Sequence, residues 1–296
     1  MRGVKVEEQA NEEAEIYTTI VKIETENGAR AMGKPVGTYI TLEAPNMSSP
    51  DEGYHREISE EFARHLKKLI GTERLQEKRI LVVGLGNREV TPDALGPEVI
   101  GNLNITRHMI RIYGRISEDL RMTGVISAIV PGVMAQTGME TLEIIRGVAE
   151  ETKPELVLVI DALAARSTKR LNRTIQITDT GIDPGSGVGN HRHAINQKEL
   201  GIPVIAVGVP TVVDAATIVN DAMEELIGEM EKLEELKQMT GAFHALDQAE
   251  KHQMLHELIA PNLNTMFVTP KDIDETVKYL SYTISEGLNL VFSGKI

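Results

Sequence analysis

The chain has no cysteine and no tryptophan, and only 3% of its 296 residues are aromatic. Without cysteine there can be no disulfide, no thiolate nucleophile and no cysteine-held zinc. With so few rings, the core must rest on Ile, Leu, Val, Met and Ala. No apolar run reaches the roughly 18 residues that a membrane span needs. The acidic opening MRGVKVEEQANEEAEIY lacks the apolar stretch of a secretory signal. Positive charge is scarce too: 31 Lys and Arg face 44 Asp and Glu, a formal net charge of -13. That argues against a general nucleic-acid binder, which needs a basic face. It leaves room for a locally basic site or a basic protein substrate. The remaining composition, 41% hydrophobic and 25% charged, is that of a globular protein. A soluble, intracellular protein is the expectation.

What is present is an alternation. Residues 1–15 are polar and acidic and read as a solvated, mobile N-terminal segment. Residues 16–28 and 36–45 read as two partner strands forming an N-terminal β-hairpin, with Pro45 as the stop. Residues 51–71 have helical spacing and end on Gly71. The short apolar runs RILVVG (79–84), VISAIVP (125–131), ELVLVID (155–161) and PVIAVGVP (203–210) read as strands buried on both faces. Residues 174–181 read as a further strand. Helices are predicted over 93–112 and 139–152 and from about Asp214. Residues 221–260 read as charged helix, and 269–289 as a last helix started by Thr269, Pro270 and Asp272. The pattern predicts an α/β protein with helices on both sides of a mostly parallel sheet. Residues 16–296 form a single domain, with an α/β core over about 79–220 and a helical part over about 221–290. Neither an internal repeat nor a low-complexity tract is visible.

The segment VVGLGNREVTPDALGP (82–97) opens like a dinucleotide-binding turn, with Gly84 and Gly86 after an apolar strand. The third glycine of that fingerprint is missing, since Glu89 stands in its place. A carboxylate, Asp93, sits where a phosphate would favour positive charge. One reading is a helix start: Thr91 as N-cap, Pro92 at the first helical position, Asp93 favouring the dipole. The other is that the loop carries Asp93 over the carboxyl end of the sheet, where open α/β sheets bind ligands.

Asp161 follows five apolar strand residues. A charge there must reach solvent, a partner or a site. It caps the next turn, or it meets Asp93. Two such carboxylates cannot both ionise easily, so one pKa rises while the other stays low. Such a pair can activate water with one member and protonate a leaving amine with the other. The Asp179-Thr180-Gly181 triplet matches the pepsin-type signature, but that belongs to all-β folds, and a turn after the strand is the better reading. The glycine-rich GIDPGSGVGNHRH (181–193) lacks the ending of a P-loop and reads as a flexible loop lining the site. His191 and His193 could join a metal site only with further ligands. Ser186 lacks the strand-to-elbow context of a nucleophile.

These stretches together, with VPGVMAQTGMET, VIDALAARS, ITDTGIDPGSGVGN, GIPVIAVGVPTVVDA, MGKPVGTYITLEAP and NLNTMFVTPKDIDETVKYLSYTISEGLN, resemble the germination proteases of spore-forming bacteria over about residues 15–290. The resemblance implies a phosphorylase/hydrolase-like three-layer α/β sandwich. It also implies an endopeptidase that begins degrading small acid-soluble spore proteins at germination, in the cytoplasm of the spore core. It further implies an atypical aspartic peptidase, with Asp93 and Asp161 as its catalytic pair, no cofactor, and a homotetramer. Family members are made as zymogens, with a propeptide cut at an Arg-Thr-Asp-Leu-Ala type sequence; residues 1–15 contain no match to it. A more distant similarity is to hydrogenase maturation proteases, in which the acidic pair and a His bind metal. Asp93 and Asp161 match that pair, while no His is matched, so no metal is carried over. Two other readings stay open: a metal-dependent maturation-type peptidase on the same carboxylates, and a non-catalytic binding module.

Overall fold

A computed structural model describes residues 2–71, 75–115, 123–188, 192–232 and 266–294. Among the described residues, nine strands make one sheet: β1 (Val4–Asn11), β2 (Ile16–Ile23), β3 (Gly37–Glu43), β4 (Arg79–Gly84), β5 (Val125–Ile129), β6 (Leu156–Ala165), β7 (Thr174–Thr178), β8 (Val204–Asp214) and β9 (Phe267–Val268). Their order is β1-β2-β3-β7-β8-β6-β4-β5, with β9 on β8. The fold is α/β, as expected. The parallel part is the block β8-β6-β4-β5; from β1 to β8 the pairings are antiparallel.

The parallel block explains the apolar runs. Ile80, Val82, Leu158, Ile160, Ile205 and Val207 face one core. Leu81, Val83, Val157, Val159 and Val204 face the other. A strand with both faces covered has no reason to alternate with polar residues. Three helices cover the first face: α2 (Glu52–Ile70), α3 (Leu95–Gly101) and the C-terminal helix (Ile273–Phe292). On α2, Ile58, Phe62 and Leu66 recur every four residues and are fully buried. Full burial of each such side chain contributes about 1.5–3 kcal/mol. The C-terminal helix comes close at Gly287, where a Cβ would lie 2.3 Å from Phe62 Cδ1. His55 of α2 adds a polar tie, its Nδ1 lying 2.7 Å from Thr283 Oγ1. The second face is covered by the helix Thr141–Thr152, through Leu142 and Ile145. Three layers result. Among the described residues, no helix is long and apolar enough to cross a membrane.

Four expectations change. Residues 4–11 are solvated, but they form strand β1, paired residue for residue with β2. An edge strand with little burial leaves no apolar pattern to read. β2 and β3 do pair, but a helix, α1 (Glu26–Met32), replaces a tight hairpin turn. The helix predicted over 93–112 is broken into α3 and α4 (Arg107–Tyr113). Asn289 fills the break: its Oδ1 accepts from Asn104 N–H at 2.9 Å and its Nδ2 donates to Asn102 O at 3.3 Å. The last helix starts at Ile273, with Asp272 as its N-cap residue, because Thr269 is used elsewhere: its hydroxyl donates to Thr211 O at 2.9 Å. Before it come α5 (Met134–Thr137), α6 (Thr141–Thr152), α7 (Gln197–Leu200) and α8 (Ala215–Glu231), which makes the C-terminal helix α9. The helical reading of 233–260 lies outside the described residues.

Candidate functional site

Asp161 is not at a strand end. β6 runs on to Ala165 because β8 keeps pairing with it, Asp161 opposite Gly208, past a register shift at Leu163/Ala164. On its other side β4 stops: Gly84 pairs with Ile160 and Leu85 N–H donates to Ile160 O at 2.8 Å. Asp161 is thus the first β6 residue beyond the end of β4. By strand alternation it continues the Val157 and Val159 side. Asp161 is only 6% exposed.

The chain leaving β4 brings a second carboxylate over that gap. Gly86 has φ 113°, and a Cβ there would lie 1.9 Å from Asp93 O. Only glycine permits both the conformation and the approach. Asn87 N–H donates to Asp93 Oδ2 at 2.8 Å and also to Asp93 O at 3.1 Å. Asn87 Oδ1 accepts from Glu89 N–H at 3.1 Å, an Asx turn. Thr91–Asp93 form a single 3-10 turn preceded by Val90, so Thr91 does not act as the expected N-cap. The third glycine of the dinucleotide pattern has a counterpart in Gly96. A Cβ there would lie 2.4 Å from Leu85 O and 2.7 Å from Ile160 O, so it lets α3 sit on β4 and β6. The Asp93 turn is therefore inserted between the second and third glycines of a nucleotide-type turn.

The two carboxylates feel each other. Burial pushes the Asp161 carboxyl up to about 8; the Asp93 charge adds to the rise, while Ala162 N–H and Arg192 oppose it. Burial also raises Asp93, against the Asn87 N–H and Arg192. At neutral pH, Asp161 therefore holds a proton, and Asp93, less buried, ionises first.

The loop 181–195 closes on itself through Ile182 and Ile195, whose N–H groups donate reciprocally at 3.0 and 2.8 Å. Its 3-10 turn Ser186–Val188 rests on the end of β6, where a Cβ on Gly187 would meet Ala164 Cβ at 3.1 Å. The loop returns Arg192 to where its charge reaches both aspartates. Ser186 lies in that 3-10 turn and not in a strand-to-helix elbow. His193 turns to Glu140, with Nδ1 3.9 Å from Oε2. His191 lies outside the described residues. Asp179 is not beside the site: its Oδ1 accepts from Thr38 N–H at 2.7 Å. It lies beyond Thr178, which pairs with Ala206, so it heads toward the amino end of the parallel strands. Among the described residues, no three His, Asp or Glu side chains form a group able to hold a metal. A pocket bounded by Gln9, Asn11, Thr18, Glu61 and Arg64 lies on the antiparallel wing and contains neither aspartate.

Three contributors escaped the sequence reading. Arg192 lay in a loop with no assigned partner. Gln136, whose Nε2 donates to Asn87 Oδ1 at 3.2 Å, had no local signal. Thr211 did have one, as a polar residue inside the apolar strand VIAVGVPTVV. It is fully buried, and its hydroxyl donates to Pro92 O at 2.6 Å, tying the Asp93 turn to β8. Thr211→Val keeps the shape and strands that carbonyl. We expect a loss of about 1–3 kcal/mol in urea denaturation, with faster amide exchange at Asn87.

Comparison with known proteins identifies a family. The protein-family model for "Germination protease" matches residues 1–237 and 224–296. A germination protease of Clostridium perfringens strain ATCC 13124 is 47% identical over 289 residues, covering 97% of this chain and 87% of its own. That of Clostridium acetobutylicum is 46% identical over 291 residues, covering 97% and 88%. That of Priestia megaterium is 40% identical over 322 residues, covering 98% and 86%. The crystal structure of the NiFe hydrogenase maturation protease HycI from Thermococcus kodakarensis KOD1 aligns with 46% of this chain and 75% of its own. Its TM-score of 0.29 and identity of 19% are too low to carry an argument.

Proposed function

Because this chain belongs to the germination protease family and is therefore a protease, we propose that it cuts small acid-soluble spore proteins at germination with Asp93 and Asp161 as its catalytic pair. The observation that carries this reading is one buried, proton-holding carboxyl coupled to a second, more ionised one at the carboxyl end of a parallel sheet. Open α/β sheets place their chemistry at that end.

In this mechanism the Asp93 carboxylate takes a proton from a water as its oxygen attacks the scissile carbonyl carbon. Asp161 gives its proton to the leaving nitrogen as the C–N bond breaks. Asp93 ends protonated and Asp161 ionised, and exchange with solvent resets them. Arg192 offsets the negative charge that the pair carries in turn. No covalent intermediate is needed, consistent with a chain that has no cysteine.

The test is incubation of the full chain with a small acid-soluble spore protein and mass mapping of the fragments. Discrete cuts by the wild type that disappear in both Asp93→Asn and Asp161→Asn and survive a chelator are the expected result. Cleavage retained by either variant sinks the pair. Loss of cleavage with chelator alone moves the chemistry to a metal.

A further inference from the structure

The sheet has two edges, and they are built differently. The outer strand β1 carries Lys5, Glu7 and Glu8, charges of the kind that keep an edge from pairing with other chains. At the opposite edge is β5. From Ser127 to Met134 the sequence SAIVPGVM has no charged residue, in a chain of net charge -13.

The direction of the β5 backbone groups follows from its bonds. Val125 N–H donates toward β4, to Lys78 O at 2.9 Å. Ile126 turns the other way: its N–H donates to Thr106 Oγ1 at 2.9 Å, and its C=O accepts from Thr106 N–H at 3.1 Å. Alternation then points the N–H and C=O of Ala128 outward as well. Thr106 covers Ile126 only. Among the described residues, the outward groups of Ala128 have no hydrogen-bond partner.

This open stretch is continuous with the candidate site. The chain after β5 reaches the Asp93 turn through the Gln136–Asn87 hydrogen bond. Exposed apolar side chains stand on the same loops: Val90 in the Asp93 turn, and Val130, Met134 and Met139 after β5.

We propose that an extended segment of the polypeptide substrate adds to β5 as a further strand along Ala128–Val130, with its apolar side chains resting on these loops. Backbone pairing would supply affinity without demanding one sequence, and the apolar side chains would supply preference. The occupant is a polypeptide because the chain is a protease and because the edge leads into the turn that holds Asp93. The inference rests on the reading of Asp93 and Asp161 as the catalytic pair.

The experiment uses the full chain and a synthetic peptide spanning a cleavage site mapped in a small acid-soluble spore protein. Ala128→Pro removes the outward N–H and keeps the bonds to β4, a change that edge strands accept. We expect kcat/KM to fall about tenfold, through KM, for the loss of one or two hydrogen bonds, at an unchanged melting temperature. A scan of peptides with single backbone N-methyl groups on the wild type gives a readout independent of folding. Loss of cleavage at two positions two residues apart, with tolerance between them, is the expected pattern. Unchanged kcat/KM in Ala128→Pro overturns the proposal, and so does a scan without that alternation. A drop in assembly size for Ala128→Pro in size-exclusion chromatography would mean that the edge joins copies of this chain, and overturns it too. If Ala128→Pro lowers the melting temperature, the scan alone decides. Peptide cleavage that persists in Asp93→Asn or Asp161→Asn is a failure of the catalytic reading and is recognisable as such.

Discussion

Asp161→Asn is expected to lower proteolysis by about 10²–10⁴-fold and, at the same time, to make the protein more stable at neutral and alkaline pH. The two effects share a cause. Asp161 keeps its proton up to about 8 when folded and loses it near 3.9 when unfolded. Between those values the native state binds the extra proton, so its stability falls as pH rises. The contribution is full below about pH 4 and gone above about 8. Asparagine has no proton to lose. Its Oδ1 still accepts from Ala162 N–H, as the aspartate does at 3.0 Å, and its amide faces the Asp93 charge favourably. We expect the melting temperature of Asp161→Asn to exceed that of the wild type by at least about 5 °C at pH 8.5, with the gap closing toward pH 4. A gap that is constant with pH, or of opposite sign, would show that Asp161 does not titrate in this range. By the same argument, with Asp161 as the proposed proton donor, wild-type cleavage is expected to decline as pH rises through about 8.

The second large effect is expected at Gly86. Replacing it by Ala places a Cβ 1.9 Å from Asp93 O and 3.1 Å from its Oδ1, at a φ of 113° that an L side chain rarely adopts. The backbone oxygen cannot yield alone, because Asn87 N–H is bonded to that oxygen and to the Asp93 carboxylate together. The turn must move, and the carboxylate with it. A displacement near 1 Å of a catalytic group costs about a hundredfold in rate, and the strain costs about 2 kcal/mol or more of stability. Gly33→Ala is the matched control. Gly33 also has positive φ, at 61°, but a Cβ there meets nothing within 4 Å. It should cost about 1 kcal/mol and leave activity alone. Cleavage assays and urea midpoints on both variants separate the two. Equal losses of activity would mean that the Gly86 contact does not position Asp93.

The parallel block was legible because its strands are buried on both faces, and RILVVG and LVLVI say so without ambiguity. Asp161 stood out for a related reason: a charge directly after such a run must reach solvent, a partner or a site. Asp93 stood out only as a carboxylate in a glycine turn where a phosphate would favour positive charge. What stayed hidden depends on contacts distant in sequence. Residues 162–165, ALAA, are three alanines and a leucine, with little strand preference; only the pairing with β8 extends β6 over them. The break after α3 needs Asn289, 185 residues from the Asn104 it satisfies. β1 buries little and so shows no pattern. Arg192 is one cation in a polar loop, and nothing local tells which acids it will face. The displaced third glycine, Gly96, could have been found by asking which glycine lets the helix approach the strand, rather than by counting three positions on from Gly86.

Asp161 and Asp93 are held by different kinds of structure. One lies within a ladder, in register with Gly208, where release requires melting neighbouring strands. The other hangs on a short turn fastened by Asn87 and, through Pro92, by Thr211. The buried acid is held by the sheet itself, and the ionised partner's turn by hydrogen bonds from Asn87 and Thr211. In the proposed mechanism, alignment of the pair therefore rests on the Asn87 and Thr211 hydrogen bonds as much as on the two aspartates themselves.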